Sequence, residues 1–258
     1  MGFTYIKFEK DHAVGTITLN RPEKRNALSL PLLKELDHLF DQLKVDKAIK
    51  AVIIKGEGKA FSSGHDLKEM TGRGLDDCQD IFQTCSRVMM KIQEMPQPFI
   101  AQVHGIATAA GCQLVAACDL ALTEENALFG TPGVNIGFFC TTPAIPLVRA
   151  IGRKRALEML FTGRLITAAE AERYGLVNRV VCFDILETET KILATRIAQA
   201  SRTTLNIGKQ AFYSQVNMTD HDAYSFGSTV MLDNLQIYDA KEGIDAFLTK
   251  RNPVWQDS

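Results

Sequence analysis

Gly58-Lys59-Ala60-Phe61-Ser62-Ser63-Gly64-His65-Asp66-Leu67 and Gly105-Ile106-Ala107-Thr108-Ala109-Ala110-Gly111-Cys112 are the two stretches on which the reading of this chain turns. Each follows a strand-like segment and is built of small residues, which let a backbone approach a ligand closely. The second opens a segment, running to Cys118, that is almost wholly apolar, as befits a helix at the centre of a core. Free N–H groups at a helix start carry partial positive charge and favour an oxyanion. Two such loops could jointly form an oxyanion hole, the largest source of rate enhancement in many acyl-transfer reactions. On these features alone the plainer reading, two tight strand-to-helix turns, is preferred.

Working outward, residues 13–19 alternate Thr16 and Thr18 with Ile17 and Leu19, the period of a strand. The turn Asn20 to Asn26 follows. Next, Leu32, Leu33, Leu36, Leu39, Phe40 and Leu43 recur at helical spacing behind a capping Ser29. Residues 51–55 read as a short buried strand and 99–103 as another. Between them Ile81, Phe82, Cys85, Val88, Met89 and Ile92 predict a second helix. From residue 145 the pattern becomes helices joined by short turns. Thr167 with Glu170 predicts a capping box, ended by Gly175, and Asp184 with Glu187 predicts another before a helix to about residue 200. Glu242 to Trp255 reads as a last amphipathic helix and tail. The expected division is an α/β core over 1–200 and a helical region over 201–258.

With 258 residues, 46% hydrophobic and 23% charged, the chain suits one sizeable core. Its 29 basic and 30 acidic residues nearly balance, so no general basic field points to nucleic acid. No run of apolar residues has membrane length. The six cysteines (78, 85, 112, 118, 140 and 182) lack the two-residue gap of metal or redox motifs. No metal is expected, and a reducing compartment follows. The start, Met1 to Tyr5, lacks the features of a targeting segment. A cytoplasmic location is therefore expected, or the mitochondrial matrix if such a segment has been removed.

The resemblance of the chain settles what the loops leave open. Thr18-Leu19-Asn20-Arg21-Pro22 with Asn26-Ala27-Leu28, then Gly58 to Met70, Val103 to Asp119, Phe129-Gly130-Thr131-Pro132, Leu160-Phe161-Thr162-Gly163 and Glu242-Gly243-Ile244-Asp245-Ala246-Phe247 occur in an order that resembles the crotonase, or enoyl-CoA hydratase/isomerase, superfamily. Within it, Ser63-Gly64-His65-Asp66-Leu67-Lys68 and Ala109-Ala110-Gly111-Cys112-Gln113 are similar to the enoyl-CoA hydratase domain-containing protein 3 subgroup. The resemblance implies an α/β fold of ββα units in a spiral, with a perpendicular sheet pair and a C-terminal helical region that mediates trimers or hexamers. It implies an acyl-CoA substrate and no further cofactor. Backbone N–H groups of His65 and Ala110 would hold the thioester oxygen. Ala60, Asp66 and Leu67 would lie beside the adenine and pantetheine, with Lys24 and Arg25 on the rim. Phe247 and Lys250 match positions that contact coenzyme A, often from a neighbouring subunit.

The pattern breaks at two positions. Hydratases of this family use two glutamates, one to activate water and one to protonate the α-carbon; here Gln113 and Gly133 stand in those places. Neither can exchange a proton near neutral pH, and losing a positioned acid or base costs about 10²–10⁴-fold in rate. Efficient hydration of a simple enoyl-CoA is therefore not expected. Restoring both glutamates should recover it, provided the surrounding geometry is intact. His65 is the only titratable residue at the hole, and is read mainly as a rim histidine. Asn135, Cys140, Thr141 and Thr142 are candidates to line the acyl pocket, with Cys140 read as packing rather than a nucleophile. Glu69 reads as an exposed helix carboxylate and Glu158 as structural. A catalytically silent acyl-CoA binder or assembly partner is the alternative reading.

Overall fold

The computed structural model describes residues 2–257. A hairpin begins the chain, β1 (Ile6–Asp11) antiparallel to β2 (Val14–Leu19), turning through His12. Its entry is fixed by Glu35, whose carboxylate accepts the N–H groups of Thr4, Tyr5 and Ile6 at 2.8–3.1 Å. Glu35 lies on α1 (Leu30–Val45), which Ser29 caps through the Leu32 N–H. Beyond β2 the sheet grows only by parallel pairing through β3 (Ala51–Gly56), β4 (Phe99–Val103), β6 (Leu120–Glu124) and β9 (Arg179–Val181). Parallel neighbours require crossovers. Helices α1, α2 (Leu75–Glu94) and α3 (Ala110–Ala117) serve in turn.

A second, smaller sheet pairs β5 (Ile106–Thr108) with β7 (Leu128–Gly130), and β7 with β8 (Leu165–Thr167). The stretch from Gly105 was expected to be a loop, and the chain after 145 to hold only helices and turns. Both expectations miss strands, β5 in the first and β8 and β9 in the second. Three residues are too few to display a period of two, so pairing alone defines these strands. Among the helices α4 (Thr141–Ile151), α5 (Arg153–Thr162) and α6 (Ala168–Tyr174), the last carries the expected Thr167–Glu170 box and ends at Gly175 in the left-handed region. The second expected box is absent. Helix α7 (Phe183–Ala198) starts behind Cys182 with no side-chain cap; Asp184 lies inside its first turn, and Glu187 reaches Lys55 instead.

The predicted faces of α1 and α2 are buried against the sheet, with Phe40 edge-on to Phe99 at 5.1 Å. Phe82 is the exception, only partly buried. The thiols of Cys85, Cys112, Cys118 and Cys140 are buried in this core and unpaired. Burial pushes the Cys85 and Cys112 thiols up to about 12, which leaves them neutral and inert. No helix among the described residues is long and apolar enough to cross a membrane.

Helices α8 (Arg202–Gln215), α9 (Asp220–Gln236) and α10 (Tyr238–Leu248) complete the chain. A lysine ties the first of them to the core. Lys209 Nζ, 6% exposed, donates to Ile92 O, Gln97 O and Asp119 Oδ2 at 2.6–2.8 Å, which uses all three of its protons. Burial lowers its pKa, opposed by Asp119, whose other oxygen accepts from the Tyr213 hydroxyl at 2.8 Å. Asp119 also accepts the Phe99 N–H, so the cluster joins α8 to β4 just beyond the end of α3. Removing one partner of a buried pair strands the other charge, at about 3–5 kcal/mol. Lys209→Met is expected to lose that much in urea unfolding, and a loss below about 1 kcal/mol would show that the pair is dispensable.

Candidate functional site

Backbone pairing fastens the two small-residue loops together. Phe61 N–H donates to His104 O, Ser62 N–H to Ile106 O and Thr108 N–H back to Ser62 O, all at 3.0–3.1 Å; the Thr108 hydroxyl adds a bond to Ser63 O. Strands can lie this close only because of what the glycines lack. A β-carbon on Gly105 would meet the Lys59 carbonyl oxygen, and one on Gly111 the Ser62 carbonyl oxygen. Gly64, at φ +93°, has no room either: its β-carbon would lie 2.8 Å from Ala109 Cβ and 3.1 Å from Ala110 N. The residue before His65 therefore touches the residue that opens α3.

A third segment braces the pair. Asn26, fully buried at φ 52°, donates from Nδ2 to Glu57 O and Ala60 O and accepts the Arg21 N–H, while Ser62 Oγ donates to Asn26 O. Arg21 bonds Asp66 at 3.1 Å and the Ala27 carbonyl at 2.9 Å. The Leu28 N–H donates to Gly64 O at 2.7 Å. Asn26, Arg21 and Ser62 are framework residues that the sequence reading did not single out. The available signal was an Asn placed to adopt the left-handed region just after an Arg-Pro turn.

The backbone stores strain beside this junction. Ala109 adopts φ 49°, ψ −119°, a region costly for any residue but glycine, and its N–H is held by Gly130 O at 2.9 Å. After it come the first-turn N–H groups of α3. Among the described residues, neither Ala110 N–H nor His65 N–H has an acceptor. Two unpaired amides on loops this tightly joined are a place where an oxygen can be bound.

The other expected site residues fall into three groups. Lys24 and Arg25 are exposed, and their carbonyl oxygens bond Ser63, so their turn does border the first loop. Ala60 is buried and Leu67 half exposed beside it. The Asp66 carboxylate is engaged internally, with Arg21 and the Lys68 N–H. Gln113 is buried one turn into α3, and its Oε1 has no partner among the described residues. Glu69 is not the exposed carboxylate expected, since it is half buried and accepts the Leu30 N–H at the start of α1. Glu158 pairs with Arg164, a structural role. Phe247, 83% exposed, and Lys250 lie on α10 and just past it; α10 packs on α8 and α9 and forms no hydrogen bond to either loop among the described residues.

Position 133 is closed. A β-carbon there would collide with the Phe138 carbonyl oxygen and lie 2.8 Å from Cys140 Sγ, while Phe138 N–H donates to Gly133 O. The segment 138–140 thus fills the space of any side chain at 133, and the condition for restoring two glutamates fails. Cys140 is buried, its thiol raised by burial against a backbone bond from Gly133, in keeping with a packing role. Asn135 is turned against Gly163, where a β-carbon would lie 2.6 Å from its Nδ2. Thr141 is exposed and bonds Phe139 O. Gly111→Ala and Gly133→Ala are each expected to lower stability by about 1–3 kcal/mol, through overpacking of a closed space. Melting curves check this, and an unchanged Tm in both would show that neither space is closed.

Two joined loops with free amides, set on a spiral of parallel strands, place the chain among known proteins. It belongs to the enoyl-CoA hydratase/isomerase family, whose profile it matches over residues 9–258, and its fold is the crotonase fold. It is 51% identical over 245 residues to the rat mitochondrial enoyl-CoA hydratase domain-containing protein 3, covering 94% of this chain and 81% of that one. The crystal structure of human enoyl Coenzyme A hydratase domain-containing protein 3 superposes with a TM-score of 0.96 at 48% identity, over 98% of this chain and 100% of that one. That of an enoyl-CoA hydratase from Mycobacterium smegmatis gives 0.95 at 44% identity, over 98% and 99%.

Proposed function

We propose that the protein binds an acyl-coenzyme A thioester with the carbonyl oxygen between the N–H groups of His65 and Ala110. The observation that carries this reading is the pair of acceptor-free amides on two loops locked together by Ser62 and Thr108. Both are backbone donors, so a histidine and an alanine serve equally well. Charge developing on the oxygen is stabilised most by donors that need not reorganise, and the closed packing around Gly64 and Gly111 supports such rigidity. Coenzyme A comes with the substrate, and no other cofactor is required. Lys24 and Arg25 offer cations for its phosphates. Phe247 and Lys250 complete the site from a second copy in a trimer or hexamer, which accounts for an 83% exposed phenylalanine.

With Gln113 and Gly133 in the glutamate positions, the reaction is not efficient hydration of a simple enoyl-CoA. It belongs instead to the reactions an enolate-stabilising site supports: isomerisation, hydrolysis, decarboxylation or retro-aldol cleavage. The closure of position 133 favours a second reading, a silent acyl-CoA binder or assembly protein, because the site cannot regain that acid by substitution alone. The rat relative is mitochondrial, and we take the mitochondrial matrix, rather than the cytoplasm, as the compartment.

Ala110→Pro tests the binding mode. Proline is tolerated at a first helical position, removes the N–H and sets a ring carbon in its place. Calorimetric affinity for butyryl-CoA is expected to fall about fivefold or more, with affinity for coenzyme A itself unchanged. Equal loss for both ligands, or none for either, contradicts the reading. A panel of enoyl-, 3-hydroxyacyl- and malonyl-type thioesters, bound but never turned over, selects the silent binder.

A further inference from the structure

We propose that the His65 side chain, through Nε2, is the proton-accepting group of this site, acting on carbon 2 of the acyl chain. Its role rests on the thioester reading and deepens it. His65 Nδ1 faces the Leu28 carbonyl oxygen at 3.5 Å. A carbonyl can only accept, so Nδ1 carries the ring hydrogen and Nε2 presents a lone pair. That lone pair is buried and has no partner among the described residues. An unpaired buried acceptor costs about 1–3 kcal/mol and calls for an explanation.

Other candidates nearby are spent. The Asp66 carboxylate is held by Arg21, and the hydroxyls of Ser62, Ser63 and Thr108 bond backbone oxygens. Gln113 is neutral, Gly133 has no side chain, and the Cys140 thiol is buried and held in its protonated form. His65 is oriented as a base should be, with one nitrogen fixed by an acceptor and the ring edge-on to Phe82 at 5.7 Å. Burial lowers its pKa, opposed by the Leu28 contact, so the ring is an unprotonated base near neutrality.

His65 is the inner end of a row of rings. Phe82 stands 6.0 Å from Phe138, which is 47% exposed and follows Gly137 in the left-handed region. On this proposal an acyl chain enters along this row and brings carbon 2 to Nε2. Nε2 takes the proton from carbon 2; the C–H electron pair becomes the C1–C2 double bond; the carbonyl π pair moves to oxygen, where the amides of His65 and Ala110 hold it. Return of a proton from Nε2 to carbon restores the thioester, so a saturated acyl-CoA undergoes α-hydrogen exchange with solvent and no net reaction.

The experiment follows butyryl-CoA in heavy water by proton NMR, with calorimetric binding in parallel, for the wild type, His65→Gln and His65→Phe. The phenylalanine keeps the edge contact with Phe82 if the glutamine fails to fold. The wild type is expected to exchange the carbon-2 hydrogens, and either folded variant to be slower by about 100-fold or more while still binding. Wild-type binding without exchange, or exchange undiminished in the variants, overturns the role of His65. Failure of the wild type to bind overturns the thioester reading, and this proposal with it.

Discussion

Ser62 gives its N–H to Ile106 and takes the N–H of Thr108, and the rest of the site follows from that two-bond splice. It brings the loop after β3 and the strand before α3 together closely enough that Gly64 touches the residue that opens the helix. Each amide of interest is commonplace alone. What gives them chemical meaning is their enforced proximity, and that proximity is backbone geometry held by glycine packing and by the buried amide of Asn26. Side chains around the two amides can then vary while the amides stay in place.

On the proposed reading, that separation would let a chain keep the family's fold while departing from its hydratase pattern. Positions 113 and 133, where the resemblance would place two glutamates, are not equivalent here. Gln113 keeps the size of a glutamate and a buried oxygen with no partner among the described residues, so one atom of chemistry has changed and little of the shape. Gly133 has changed the shape: Phe138 and Cys140 occupy the room that a side chain would need. An aromatic row runs from Phe138 through Phe82 to His65 at the end of the first loop.

Much of the architecture was legible because it obeys simple periodicities. The apolar faces of α1 and α2, the Ser29 and Thr167 caps and the strands at 13–19, 51–55 and 99–103 each follow from local spacing. The strands β5, β8 and β9 were not legible, since three residues carry no period and their pairing partners lie far along the chain. At the site, the two loops were visible as runs of small residues, but only the resemblance chose between tight turns and anion-binding amides. Asn26 was missed because an asparagine in a turn is ordinary; its importance comes from accepting and donating across three segments at once. The closed space at Gly133 was invisible for the same reason, as a carbonyl a few residues beyond a motif leaves no mark in the sequence.

The central claim is that one thioester oxygen rests on two peptide amides. Infrared difference spectroscopy of butyryl-CoA labelled with carbon-13 at the carbonyl reads that oxygen directly. Two donors polarise the bond, so the account predicts a carbonyl stretch shifted to lower frequency on binding to the protein. A bound ligand whose carbonyl absorbs where it does free in water would contradict the account.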